Sequence, residues 1–162
     1  MRLTPQQWRA LFFAWLPAAI GVLVICIESS DYLSAANTGL LLEHLWAWFG
    51  SVGHPNLFLD NHILRKTGHF IGYGTLSLLF YRGRRRSGQI LSMHRPRLVD
   101  VAFALVCTLV VASGDEYHQS FLSSRTGQPQ DVLLDLTGAA LFLLLLQLCL
   151  WRKGRRRSVP SD

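Results

Sequence analysis

Asp115, Glu116, Arg125, Asp131 and Asp135 set five formal charges between two long apolar runs of this chain. The run before them, Leu98 to Gly114, holds one charge, Asp100, and the run after, Val132 to Trp151, holds only Asp135. Charges on apolar helices of bilayer length are expensive, about 2.5–3.5 kcal/mol each at mid-bilayer and less near the interface. A chain that keeps several of them together has a use for them. Upstream, Lys66, His69, Tyr73 and Ser77 recur at intervals of three, four and four, which puts them on one stripe of a helix. Asp115 and Gln119 share a helical face with Glu116 beside them. Asp131 and Asp135 lie one turn apart, with Gly138 continuing their face.

These residue types admit two kinds of chemistry. Lys66 and Arg125 can recognise phosphate, arginine through paired hydrogen bonds, while the acids and Gln119 hold those cations or meet sugar hydroxyls. Alternatively, His69 beside Asp115 or Glu116 is an acid–base pair, with Arg125 stabilising developing negative charge and water as the nucleophile. The plainer account is a polar clamp on three helix ends, in which His69 is a satisfied interior histidine and Asp131 complements a helix start. All three stand at the level of sequence.

Positioning such groups requires helices. Half of the 162 residues are hydrophobic and the mean hydropathy is positive, so the chain reads as one membrane domain, residues 1–154, with a polar tail at 155–162 expected to be disordered. Apolar segments fall at about 11–27, 66–81, 98–114 and 132–151, near the ~20 residues that cross a hydrocarbon core. The second is short and polar, and it spans only if its polar groups face other helices. The expected fold is therefore all-α: a bundle of four transmembrane helices. Gly68 and Gly72, four residues apart, are expected to admit close helix contacts. In the first outward loop, the segment from Thr38 to Phe49 is apolar with two tryptophans. It is too short to cross and is expected to lie in the interface. The sharper alternative for it is a lid over a lipid-facing cavity.

The net charge of +6 invites a nucleic-acid reading, but its distribution argues for a membrane. Thirteen of the sixteen Lys and Arg residues precede the first span, lie between the second and third, or follow the fourth. Only Arg65, Lys66 and Arg125 fall on the other side. The positive-inside rule then puts both termini and the central arginine loop in the cytoplasm, and the arginines suit anionic lipid headgroups. A retained first helix fits better than a cleaved signal peptide, because its apolar run exceeds the ~7–15 residues of an h-region. Cys26, Cys107 and Cys149 sit on three different apolar segments and are expected to be small buried side chains. No metal site and no cofactor is expected.

Lys66-Thr67-Gly68-His69 and Tyr73, followed by Asp115-Glu116, Gln119, Arg125, Asp131, Asp135 and Gly138, resemble the VanZ-like family of small bacterial membrane proteins. Asparagine is common in that pattern where this chain has Asp135. The resemblance implies a multi-pass plasma-membrane protein of a family named for a protein associated with teicoplanin resistance. It carries over no settled molecular activity. A weaker likeness joins Lys66–His69 and Ser124-Arg125 through Asp131 to Asp135 with type-2 phosphatidic acid phosphatases. There Asp131 occupies the place of the nucleophilic histidine, which removes that family's chemistry.

Three functions follow. One is a membrane protein binding or modifying the headgroup of an envelope lipid, a phosphorylated lipid or a cell-wall precursor, with an effect on glycopeptide susceptibility. The substrate-contacting residues would be Lys66, His69, Tyr73, Asp115, Glu116, Gln119, Arg125, Asp131 and Asp135. The second is a lipid-phosphate hydrolase or transferase using His69, Asp115 and Glu116. The third, a small proton-coupled transporter, is kept open by the intramembrane carboxylates. Partners are membrane lipids rather than nucleic acid, and oligomeric state is open.

Overall fold

The computed structural model describes residues 3–30, 39, 44, 48, 57–122 and 127–157, with residues 57–61, 156 and 157 described by their backbone alone. The described residues hold four long helices: α1 (Pro5–Glu28), α2 (Leu57–Ile90), α3 (Arg97–Gln119) and α4 (Pro129–Arg157). No strand occurs among the described residues. The interfacial segment expected at 38–49 lies outside them except for Gly39, His44 and Trp48.

Each helix runs beyond the apolar stretch that marked it. α2 is the longest, 34 residues, or about 51 Å at 1.5 Å per residue. Hydropathy sees only the part that lipid would tolerate, whereas the helix continues into charged ends where water or neighbouring helices take over. α4 runs on to Arg157, into the segment expected to be tail. The start of α1 is fixed by a capping box: the Thr4 side chain accepts from the Gln7 N–H, and the Gln7 side chain accepts from the Thr4 N–H.

Among the described residues, three helices are long and apolar enough to cross a membrane: α1, α3 and α4 through Arg155. α2 packs against each of the other three, which explains how it tolerates its polar residues. The sorting of side chains is that of a protein in lipid. Large apolar groups face outward, among them Phe12, Leu23, Val106, Val110, Leu144 and Leu145. Inside, small and polar residues lie among a few large ones such as Leu76, Phe80 and Leu143. The buried face of α3 reads Asp100, Ala104, Thr108, Ala112, Asp115 and Glu116, then Gln119. Lipid tails are as apolar as leucine, so close backbone approach and hydrogen bonds hold such helices together.

The close approaches occur at glycines other than those expected. Among the described residues, nothing lies within 4 Å of a Cβ built on Gly68 or Gly72. On Gly138 of α4, however, a Cβ would fall 2.3 Å from the Phe70 carbonyl oxygen of α2, and on Gly74 it would fall 2.8 Å from the Phe142 ring. Spacing alone had picked the wrong pair on α2, because facing a neighbour depends on where the helix packs.

Polar ties lie toward both ends of the bundle. At one end, Arg85 of α2 reaches the almost fully buried Asp100 of α3, with Nη1 3.1 Å from Oδ2, and also donates to the Arg95 carbonyl. Trp15 of α1 donates its indole N–H to Ser87 of α2. A cleft of about 610 Å³ nearby is lined by Arg82, Arg85, Arg86 and Arg97 together with Leu78, Leu146 and Leu150. Asp115 lies fifteen residues further along α3, about 22 Å away, and marks the opposite layer. The cysteines are free, and Cys26 and Cys149 are exposed on the outer surface rather than buried.

Candidate functional site

The second polar layer gathers residues from α2, α3 and α4 and the cap at the end of α1. Its most completely satisfied member is Asp115, where one oxygen, Oδ2, accepts from the Tyr73 hydroxyl of α2 at 3.0 Å and from the Gln119 amide one turn on at 3.1 Å. The same Gln119 nitrogen reaches Ser29, the residue that caps the C-terminal end of α1, at 3.3 Å. Tyr73, Asp115, Gln119 and Ser29 are all buried, so four groups that would be costly alone become a closed network.

Glu116, beside Asp115, faces α4. Its Oε2 accepts the Gln128 backbone N–H at 2.7 Å, which fastens the approach to α4 onto the end of α3. The connecting chain lies tight here: a Cβ on Gly127 would come 2.4 Å from the Glu116 carbonyl oxygen and 3.0 Å from the Ser120 nitrogen. Pro129 then starts α4 without needing an N–H partner.

Two ion pairs join α2 to α4. Lys66 Nζ lies 3.2 Å from Asp131 Oδ1, and one turn deeper His69 Nδ1 lies 3.5 Å from Asp135 Oδ1. Their side-chain exposures grade the site from mouth to floor: 43% for Lys66, 26% for Asp131, 21% for His69 and 0% for Asp135. Gly138, one turn beyond Asp135, lets the α4 backbone rest on that of α2 and so brings the two stripes into register. His69 and Tyr73, whose ring centroids are 6.0 Å apart, link the ion pairs to the Asp115 network.

The site's floor is incompletely paired. Asp135 Oδ1 and Oδ2, Glu116 Oε1 and His69 Nδ1 are all buried without a hydrogen-bond partner of good geometry. The 3.5 Å approach of His69 to Asp135 is thus an electrostatic contact rather than a formed hydrogen bond. Native structures seldom leave such groups unpaired, and each case calls for an explanation.

Eight of the nine residues expected at the site therefore converge: Lys66, His69, Tyr73, Asp115, Glu116, Gln119, Asp131 and Asp135. Arg125 lies outside the described residues. The acid nearest His69 is Asp135 rather than Asp115, which is committed to Tyr73 and Gln119. Sequence reasoning missed Ser29 and the Gln128 amide. Ser29 carries no motif and lies just past the first apolar segment. The amide belongs to the backbone, which no residue type announces.

Buried carboxylates within a bundle of membrane-length helices define a class: small, multi-pass, all-α membrane proteins built around an interior polar site. The family model VanZ/LLP1 matches residues 13–150, and this chain belongs to that family. No curated protein and no solved structure gave a match.

Proposed function

We propose that the chain is a bacterial inner-membrane protein whose polar site opens to the outer leaflet and holds the headgroup of an envelope lipid or cell-wall precursor. The observation that carries this reading is the graded site itself. A half-exposed Lys66–Asp131 pair stands at the mouth, while fully buried Asp135 and unpaired carboxylate oxygens stand below it. A clamp needs paired groups, whereas a receptor for hydroxyls and phosphate keeps donors and acceptors in reserve. Lys66 meets a phosphate at the rim, and Asp135 and Glu116 accept from headgroup hydroxyls below. Binding of this kind would alter access to precursors and hence susceptibility to glycopeptides such as teicoplanin.

The orientation follows from charge. The arginine-lined cleft and the Arg85–Asp100 tie lie at the end of the bundle where the basic loop joins α2 to α3, so the positive-inside rule directs the acidic site outward. The inner arginines then meet anionic headgroups of the cytoplasmic leaflet.

A second reading is favoured by one contact. An imidazole whose Nδ1 faces a buried carboxylate at 3.5 Å is oriented as a general acid or base, as a lipid-phosphate hydrolase or transferase would require. One experiment separates the two. Full-length protein purified with native lipid, beside Lys66→Ala and His69→Ala, is analysed by lipid mass spectrometry before and after incubation with polyprenyl and glycerolipid phosphates. A headgroup class enriched by the wild type and lost from Lys66→Ala is the expected result. Equal lipid profiles in all three would overturn it. Conversion of added lipid by the wild type alone would replace binding with catalysis.

A further inference from the structure

His69 of α2, Glu116 of α3 and Asp135 of α4 come from three different helices, yet their candidate ligand atoms all lie within 4.8 Å of one another. We infer that these three side chains form a binding site for one divalent transition cation, zinc or manganese, at the floor of the polar site. The inference names an inorganic component of the same site proposed above to bind a headgroup, and its metal test is independent of that ligand.

Several observations point to a cation rather than to a shared proton or a simple clamp. The atoms that would ligate it are among the buried atoms with no hydrogen-bond partner: His69 Nδ1, Glu116 Oε1 and both oxygens of Asp135, with Asp131 Oδ1 at the mouth another of them. Glu116 is 6% exposed and Asp135 fully enclosed, so water does not easily satisfy them. Neighbouring polar groups are already engaged. Asp115 accepts from Tyr73 and Gln119, Asp131 pairs with Lys66, and the other Glu116 oxygen accepts from Gln128. The groups around the cluster thus have partners, while its own inward-facing atoms have none.

Charge leads to the same place. Among the described residues of the site, one lysine faces four acids, and the lysine is spent on Asp131 at the mouth. Glu116 and Asp135 are left together at the floor in low dielectric with only the His69 imidazole facing them, where an uncompensated charge costs several kcal/mol. A divalent ion offsets both. It would also give a phosphate an attractive floor where bare carboxylates repel it, which reconciles an acidic site with an anionic headgroup.

The donor set narrows the ion. Imidazole suits zinc and other transition metals, and carboxylates suit magnesium, calcium and manganese, so a mixed set with one nitrogen favours zinc or manganese. Three protein ligands from separate elements leave a position open, as in sites where a metal meets substrate or water. The Lys66–Asp131 mouth lies one turn above on α2 and α4, and an open coordination position would face it.

Full-length wild type, His69→Ala and Asp135→Asn are purified in detergent through a tag free of histidine, stripped with chelator and titrated with zinc or manganese chloride. Bound metal is read by elemental mass spectrometry and thermal stability by scanning. The wild type is expected to retain about one ion per chain and to melt at higher temperature when loaded. Both variants should lose at least roughly tenfold in affinity, the low end of what loss of even an outer-shell partner costs. Asp135→Asn keeps the side chain's size and removes one buried charge, so the metal-induced rise in melting temperature should disappear while the metal-free form still folds. No saturable binding in the wild type would overturn the inference, as would unchanged binding in folded Asp135→Asn. A headgroup retained by metal-free protein, with no metal bound on titration, would sink the cation and leave the headgroup reading intact. Metal bound without any selected lipid would do the reverse.

Discussion

At the scale of single residues, the glycine at 138 has the clearest consequence. A Cβ there would meet the Phe70 carbonyl oxygen at 2.3 Å, and a backbone atom cannot step aside as a flexible side chain can. Gly138→Ala must therefore push α4 off α2, at roughly 1–3 kcal/mol, the range for overfilling a packed site. Gly72→Ala is the internal control. Nothing lies within 4 Å of its Cβ, so better helix propensity should leave stability unchanged or raise it by up to about 1 kcal/mol. Unfolding of the two variants in mixed micelles reads the contrast, and equal losses would show that the α2–α4 approach is not limiting. The same pair shows where sequence reading ends. His69, Tyr73, Asp115, Gln119 and Asp135 were legible as site residues because a charged or polar group in an apolar helix has few other reasons to exist. Which glycines touch a neighbour was not legible, since that depends on the rotation of one helix against another.

At the scale of elements, α2 is the member that hydropathy describes worst and structure explains best. It is the polar helix of the bundle and packs on all three others, so its stripe of Lys66, His69, Tyr73 and Ser77 is turned toward partners. The Ser77 hydroxyl, fully buried, reaches backbone carbonyls of both α2 and α4. The number of helices and their order could be read from apolar runs, while their true lengths could not, because hydropathy stops where charges begin and helices do not. The tie at the other end of α2 sets a test. Asp100 is 1% exposed and depends on Arg85, so Arg85→Ala strands a buried carboxylate. Breaking fully buried pairs costs about 3–5 kcal/mol. With the Arg85 side chain 37% exposed, about 2–3 kcal/mol is expected. Joining Asp100→Asn to Arg85→Ala should recover part of that loss, since the stranded charge is gone. A double variant less stable than Arg85→Ala alone would mean that the pair does not couple α2 to α3.

At the scale of the whole molecule, two polar layers lie about 22 Å apart along α3, less than the thickness of a hydrocarbon core of about 30 Å, one rich in arginine and the other in acid. That separation makes the orientation of the bundle a physical question with one favoured answer, because arginine-rich loops stay on the cytoplasmic side whichever end carries the site. Met93, exposed between α2 and α3, and His118, exposed at the far end of α3, report on the two sides. After Cys26, Cys107 and Cys149 are replaced by serine, Met93→Cys and His118→Cys can each be probed with a membrane-impermeant maleimide. In intact spheroplasts His118→Cys should label and Met93→Cys should label only after lysis, placing the Lys66–Asp131 mouth on the outer face. The opposite pattern would direct the site to the cytoplasm, where an outer-leaflet lipid or an external precursor could not reach it. The cluster of His69, Glu116 and Asp135 would survive that result as chemistry, because its geometry is independent of which side the mouth faces. Its substrate would then have to come from the inner leaflet.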